Sequence, residues 1–460
     1  MGMEIKDKQI LVVGLGKSGM AAARFLHGQG AMVTVTDSAS LEKLPQAQQL
    51  LEMGIRMELN RHDIETFTNA ELIVLSPGVP HDIEPVLAAT RKGIPVVGEI
   101  EVASWFVNQP IVAVTGTNGK TTTTELLGSM LEASQKSVFV GGNIGRPFIE
   151  YVSAGQQADI VVLEISSFQL DTIQSFRPHV GIILNITDDH LDRYPSLEAY
   201  AESKGRLYKN QTAGDVAIYK GDDARIEKLV KDIPSRKLPF TSCKTAPHLQ
   251  AQQLGAVINQ ESIHLRGSAS RPGKIKLTDI RVHGRHNQEN IAAASLATLA
   301  SGGNMQGILQ ALKSFKGLPH RLEYVDTVAQ VTFFNDSKAT NVDAVVQALA
   351  SFRTPVILIS GGRNKGGHFQ TLKSALHSNI KSIFLLGEAK HLIQKALKGS
   401  APIKLVDSMQ EAVFKSYAAA SPGDIILLSP GCASFDMYDN YKERGEDFRT
   451  LVAEIKQKKT

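Results

Sequence analysis

Short runs rich in valine and isoleucine recur from one end of the chain to the other, at residues 10–13, 32–35, 72–75, 111–114, 160–163, 180–184, 356–359, 383–386 and 425–428, with helix-length amphipathic stretches between them. A strand that helices cover on both faces is apolar on both, so it reads as an unbroken run and not as an alternation. The pattern therefore predicts α/β units built on parallel sheets. Nearly every run ends in a cluster of Gly, Ser, Asn or Asp, among them GLGKSG, TDSAS, SPGVP, TGTNGKTT, EISSFQ, NITDDH, SGGRNKGG and SPGCAS. In sheets of this kind ligands bind at the carboxyl ends of the strands.

The rhythm restarts twice, which divides the chain into residues 1–98, 99–317 and 318–460. A length of 460 residues agrees with three domains of about 150 each. Within the second unit, between about 255 and 284, the alternating segments AVINQESIHL and KIKLTDIRV read as a small antiparallel β element, followed by a helix over 287–300. The expected fold is thus α/β with three domains on parallel sheets, the central one with a small antiparallel addition. Lysine and arginine number 50 against 46 acidic residues, without long runs, so no broad basic face for nucleic acid is expected. The two cysteines, Cys243 and Cys432, make no disulfide framework and fit a reducing compartment. No apolar run reaches the ~18 residues of a membrane span, and the first residues lack a leader pattern. A cytoplasmic protein, without membrane insertion and acting as a monomer, is expected.

The strongest local signal is Thr115 followed by Gly116, Thr117, Asn118, Gly119, Lys120, Thr121 and Thr122, between a strand and a helix. Such a loop aims backbone N–H groups and the positive end of the helix dipole at phosphate oxygens. Lys120 reaches the β- and γ-phosphates and the Thr121 hydroxyl suits Mg²⁺. Val114 stands where the usual phosphate loop has its first glycine, so this is a variant form. Gly14-Leu15-Gly16-Lys17-Ser18-Gly19, with Asp37 closing the next strand, fits a dinucleotide fingerprint, which by itself does not separate NAD from another ribose diphosphate. Ser76-Pro77-Gly78 ends a later strand of the same unit.

Glu164, at the end of IVVLE, and His190, in TDDH, follow strands of the same sheet as the phosphate loop. A carboxylate beside a phosphate site is the usual protein donor to Mg²⁺, and His190 is placed to join a second cation. The third unit opens with His320-Arg321 and continues, after the strand VTFF, with Asn335-Asp336-Ser337-Lys338-Ala339-Thr340-Asn341. Cationic, hydroxyl and amide groups at one sheet edge suit phosphate and carboxylate ligands. Ser337 or Thr340 would also cap the helix that follows.

With these segments in hand, the chain resembles the Mur ligase family over essentially its whole length, most specifically at Ser166-Ser167-Phe168-Gln169-Leu170 and from Ser337 to Asn341. The resemblance implies an N-terminal Rossmann-like parallel sheet, a central P-loop-type ATPase sheet with a small antiparallel β element and a C-terminal Rossmann-like sheet, in an ATP-dependent ligase that adds D-glutamate to UDP-N-acetylmuramoyl-L-alanine through an acyl phosphate, for peptidoglycan precursors. It reassigns the first glycine-rich loop from NAD to uridine diphosphate, held by Ser18, Asp37, Ser38, Ser76, Pro77 and Gly78. It implies that Asn143 and Gln169 face the muramoyl part, that Gly116 to Thr122 bind the ATP phosphates, and that Asn290, Arg321 and Asp336 contact the nucleotide. It implies that Lys338, Thr340, Lys365, Ser434 and Tyr441 lie around the phosphates or the incoming amino acid. Lys120, His190 and Lys204 are the implied catalytic groups, with Thr121, Glu164, His190 and Lys204 at two Mg²⁺ ions. An ammonium repels Mg²⁺, so the resemblance further implies that Lys204 carries a carbamate. Two departures are visible: Arg363 stands where some relatives have Asp, and Tyr441 where some have Phe.

Three readings compete. A ligase acting on a later peptide intermediate or on folate would differ only in its product. A nicotinamide oxidoreductase would leave TGTNGKTT unexplained, and a non-catalytic nucleotide sensor would leave Glu164, His190 and Lys204 unexplained together.

Overall fold

The computed structural model describes residues 4–155, 157–189, 193–242, 255–266, 273–280, 284–364, 366, 368–376 and 379–458. Its strands form three sheets. The first holds β1 (Gln9–Val13), β2 (Met32–Asp37), β3 (Arg56–Leu59), β4 (Leu72–Leu75) and β5 (Val96–Gly98), all parallel, in the order β3-β2-β1-β4-β5. Strand order reverses direction between β1 and β4. In open parallel sheets such a reversal is where ligands bind, at the carboxyl ends of the strands. Leu11, Val13, Ile73 and Leu75 bury one face of this sheet against Phe67, Val86 and Ala89.

The second sheet has nine strands: β6 (Ile111–Thr115), β7 (Val138–Gly142), β8 (Ile160–Glu164), β9 (Val180–Ile183), β10 (Val216–Lys220), β11 (Arg236–Thr241), β12 (Gly255–Ile258), β13 (Ser262–Arg266) and β14 (Gly273–Lys276). Their order is β14-β13-β12-β11-β10-β9-β6-β8-β7. β12 pairs in parallel with β11, while β13 and β14 run antiparallel. The antiparallel element read from the sequence is therefore continuous with the central sheet and forms one end of it.

The third sheet comprises β15 (Glu323–Val328), β16 (Val331–Asn335), β17 (Val356–Gly361), β18 (Ile380–Leu386), β19 (Ile403–Leu405) and β20 (Ile425–Leu428), in the order β15-β16-β20-β17-β18-β19. Only β15 is antiparallel to its neighbour. Val356 and Leu358 pack into one apolar cluster and Ile357 and Ile359 into another, and β20 divides its residues the same way. Burial on both faces is what made these strands read as unbroken apolar runs.

The chain forms two compact units, one of residues 1–186, 200–277 and 290–312, the other of 187–199, 278–289 and 313–460. Among the described residues no helix is long and apolar enough to cross a membrane.

Glu99 directly follows β5 and is almost wholly buried. Its Oε1 accepts a 2.6 Å hydrogen bond from the Ile149 N–H at the start of the helix Phe148–Ser153, and its Oε2 has no hydrogen-bond partner among the described residues. Burial pushes this carboxyl from 4.5 to about 7. The folded chain thus holds a proton that the unfolded chain releases at lower pH. The associated stability is present below the unfolded value and is lost as pH rises through the folded one. Glu99→Gln should remove this dependence. The melting temperature of the variant relative to wild type should climb between pH 5 and pH 8, by the equivalent of up to about 3 kcal/mol. Parallel melting curves across that window would contradict it.

Candidate active site

β6 delivers the chain into the phosphate loop. Gly116 has φ +151° and Gly119 φ +85°, conformations that disfavour a side chain, and Gly119 caps the helix Lys120–Ala133 with no side-chain hydrogen bond. The first N–H groups of that helix are accordingly not capped by the side chain before it, which is the arrangement that receives anions. The loop is held from outside. Thr117 N donates to Asn185 O at 3.0 Å, Asn118 N donates to Asn185 Oδ1 at 2.8 Å, and Asn185 Nδ2 donates back to Asn118 O at 3.0 Å. Asn290 is buried, and its Oδ1 sits 2.3 Å from where a Cβ on Gly119 would be, so only glycine fits there. Thr122 is buried and Thr121 half-buried at the head of the helix.

Two lysines meet in this loop. Lys120 Nζ donates to Gly116 O at 2.9 Å and to Thr117 O at 2.8 Å. Lys204, on the helix Leu197–Gly205 and 1% exposed, donates from Nζ to the same Gly116 O at 3.0 Å and lies 4.3 Å from the centre of the Tyr200 ring. Two lysine amines thus converge on one carbonyl at the head of the helix. Asn185 and Tyr200 were not singled out from the sequence. The polar cluster NITDDH at a strand end was the available signal for Asn185, and Tyr200 had none.

Glu164 ends β8 and is buried. Its Oε1 accepts from Asn143 Nδ2 at 2.8 Å, while its Oε2 is buried with no hydrogen-bond partner among the described residues. A bare buried carboxylate oxygen needs a cation or a donor, so Glu164 fits a divalent ion with oxygen ligands. Glu125 lies on the phosphate-loop helix, and its carboxyl is raised first by burial and then by the charges of Glu164 and Glu132. Asn143, expected at the muramoyl group, is thus also the residue that orients Glu164. Gln169 is buried in a capping box with Ser166, its Oε1 accepting from Ser166 N at 3.0 Å. His190 lies outside the described residues. Among the described residues no three His, Cys, Asp or Glu side chains gather as a metal site.

In the first sheet the loops after β1, β2 and β4 converge. Ser76 Oγ donates to Gly14 O at 2.7 Å, Leu15 N donates to Asp37 Oδ2 at 2.7 Å and Ala39 N to Asp37 Oδ1 at 2.8 Å. A Cβ on Gly19 would fall 1.8 Å from Gly14 O, so the loop and the helix Lys17–Gly28 touch through glycine. That helix has no side-chain cap, and Ser18 lies in its first turn. Ser38 and Gly78 are exposed and Pro77 is half-buried at the rim.

In the second compact unit, Asp336 is buried at the end of β16 and accepts from Ser429 Oγ at 2.9 Å and from Leu322 N at 3.1 Å. Burial raises its carboxyl to about 7, against the lowering effect of these bonds and of the Arg321 and Arg444 charges. Lys338 Nζ lies 4.0 Å from the centre of the Tyr441 ring, a cation–π contact. Thr340 is half-buried and Ser434 is buried. The helix Val342–Leu349 is capped by Asn341, whose Oδ1 accepts from Ala344 N at 2.9 Å, and not by Ser337 or Thr340 as the sequence suggested. Asn341 immediately precedes the first helical residue, which is the position a cap requires. Arg363, one of the two departures, forks onto Glu388 at 3.1 and 2.8 Å. Lys365 lies outside the described residues.

The sequence matches the models of the Mur ligase MurD-like N-terminal domain over residues 8–98, the Mur ligase middle domain over 114–298 and the Mur ligase glutamate ligase domain over 320–432. It is 47% identical over 456 residues to the UDP-N-acetylmuramoylalanine–D-glutamate ligase of Desulfosudis oleivorans, covering 99% of this chain and 98% of the relative. It is 48% identical over 451 residues to the ligase of the same name from Desulfatibacillum aliphaticivorans, covering 98% and 99%. Among solved structures, a pseudomurein peptide ligase type C from Methanothermus fervidus aligns with TM-score 0.61 at 21% identity, covering 98% of this chain and all (100%) of that one. A MurF ligase from Thermotoga maritima in complex with ADP aligns with TM-score 0.59 at 16% identity, covering 98% and 96%. Those structures share the fold, and the family models and full-length relatives carry the assignment: this chain belongs to the Mur ligase family.

Proposed function

We propose that this chain joins the amine of D-glutamate to the carboxyl of UDP-N-acetylmuramoyl-L-alanine with consumption of ATP, making a peptidoglycan precursor in the cytoplasm as a monomer. The full-length relatives carry the name of this activity. The observation that bears most directly on it is the meeting of the Lys120 and Lys204 side chains on the Gly116 carbonyl inside a helix-headed glycine loop.

In this reading residues 1–98 bind the uridine diphosphate, 99–317 bind ATP, and 318–460 bind nucleotide and D-glutamate. The uncapped start of the helix Lys17–Gly28 faces the diphosphate, with Ser18, Asp37, Ser38, Ser76, Pro77 and Gly78 around it. Asn143 and Gln169 meet the muramoyl part. Gly116, Thr117, Asn118, Gly119, Lys120, Thr121 and Thr122 wrap the ATP phosphates, and Asn290, Arg321 and Asp336 hold the rest of the nucleotide. Lys338, Thr340, Lys365, Ser434 and Tyr441 receive the amino acid.

The substrate carboxylate attacks the γ-phosphorus of ATP, and the bond to the β-phosphate oxygen breaks to give an acyl phosphate and ADP. Both partners in that step are anions. Lys120 offsets their repulsion and follows the charge as it spreads over the transferring oxygens. The neutral amine of D-glutamate then adds to the acyl carbonyl, and the resulting tetrahedral oxyanion collapses with loss of phosphate and of the amine proton. No protein nucleophile is needed. Magnesium, when bound, supplies further charge neutralisation at the phosphoryl group, and Thr121, Glu164, His190 and a carbamylated Lys204 are the residues to hold two ions. Carbamylation replaces an ammonium in a dry site with a two-oxygen anion of the type Mg²⁺ prefers.

An ADP-release assay with UDP-N-acetylmuramoyl-L-alanine and a panel of D- and L-amino acids tests the reading. D-glutamate should be preferred, because two fixed carboxylate sites and one amine trajectory define handedness; faster turnover with L-glutamate or a diamino acid would overturn the assignment. Lys120→Ala should lower turnover by roughly 10²-fold or more while circular dichroism stays native. Near-normal turnover would remove the loop from the mechanism. Lys204→Ala should be nearly inactive and regain part of its activity on addition of a small carboxylic acid. Full activity without the acid would end the carbamate proposal.

A further inference from the structure

We propose that Arg444 is a positioning residue for the incoming amino acid: its buried guanidinium fixes the relative placement of the loops that carry Lys338, Thr340 and Ser434. The inference rests on the reading of those residues as contacts to the amino acid.

Arg444 lies one turn into the helix Tyr441–Gln457 and is 3% exposed. Its Nε donates to Ser337 Oγ at 3.0 Å and one terminal nitrogen donates to Ser337 O at 2.8 Å. Both terminal nitrogens reach Cys432 O, each at 3.2 Å. Ser337 Oγ in turn donates to Tyr441 O at 2.8 Å. A Cβ built on Gly362 would stand 3.2 Å from the guanidinium, so the loop after β17 also rests against it. One planar group therefore touches the loop after β16, the loop after β17 and the loop after β20, and through Ser337 it is linked to the first turn of its own helix at Tyr441.

The partners of this cation are two carbonyls and a hydroxyl; among the described residues it has no ion pair. Burial lowers its pKa to about 10, against the raising effect of Cys432, Asp436, Tyr438 and Asp336, so it remains charged at neutral pH. Its hydrogen-bond acceptors are neutral, and the fork geometry is what it gains over a single-point donor such as lysine. The loops have other ties. Arg363 and Ala433 exchange two backbone hydrogen bonds at 2.9 Å each, Gly431 N donates to Ala339 O at 2.8 Å, and Ser429 Oγ donates to Asp336. Loss of the fork should therefore loosen the spacing between Ser337 and Cys432 while the sheet stays intact. An amino acid with two carboxylates and a reacting amine is sensitive to that spacing, since sub-ångström displacements of positioning groups already weaken a near-attack geometry.

The test is Arg444→Lys in the full-length enzyme, with ATP and the UDP-linked substrate saturating. The KM for D-glutamate should rise by roughly tenfold or more, and the preference for D-glutamate over D-aspartate should fall by a similar factor. The KM for the UDP-linked substrate should stay within about twofold of wild type. Ser337→Ala removes one acceptor of the fork and should act in the same direction. The double variant should be no worse than the more affected single one, because both break one link. An unchanged D-glutamate KM and preference, or a fall in kcat alone, would assign Arg444 a purely structural role and overturn the proposal. If Arg444→Lys does not fold, Ser337→Ala decides by the same two readouts. Should wild type prefer another amino acid, the parent reading fails, and the variants are then judged on that amino acid's KM.

Discussion

The carbonyl of Gly116 is the point on which the central unit depends. Lys120 and Lys204 donate to it from helices far apart in sequence, and both side chains are largely or wholly withdrawn from water. The strand that carries it ends at Gly116, whose φ of +151° disfavours a side chain. Asn185 then anchors Thr117 and Asn118 from the end of β9, and Asn290 closes on Gly119. Strand, turn, helix and two neighbouring elements are arranged around these two lysine side chains. In the same unit Glu164 keeps one oxygen, Oε2, without a hydrogen-bond partner among the described residues, which suits a metal ion at a phosphoryl group.

Much of this was legible in the sequence because parallel strands advertise themselves. The nine apolar runs became β1, β2, β4, β6, β8, β9, β17, β18 and β20. The strands that the pattern missed are those whose burial is incomplete or whose composition is mixed. β3 reads RMEL, β19 reads IKL and β11 reads RKLPFT; β3 and β19 lie at sheet edges. Without a neighbour on one side, or with one face half open, a strand needs no continuous apolar run. The phosphate loop was legible for a different reason, since the glycines, lysine and threonines it needs are contiguous.

What escaped the sequence was the supporting layer. Asn185 and Arg444 sit far along the chain from the groups they hold, and no local spacing reveals such pairings. Several expected contact residues also hold their own loops. Asp37 binds the N–H groups of Leu15 and Ala39, Gln169 closes a capping box, and Asn143 orients Glu164. These polar groups are pre-placed by the backbone they satisfy, a condition for a site that must hold charge without reorganising.

The central claim is that the carboxyl of the UDP-linked substrate becomes an acyl phosphate before the amide bond forms. It is tested most directly by labelling both oxygens of that carboxyl with ¹⁸O and analysing the phosphate released on turnover with ATP and D-glutamate. Attack of the carboxylate on the γ-phosphorus moves one labelled oxygen into the phosphate, so singly labelled phosphate should appear in step with ADP. Unlabelled phosphate formed alongside amide product would show that the carboxyl never bonds to phosphorus, and would contradict the account.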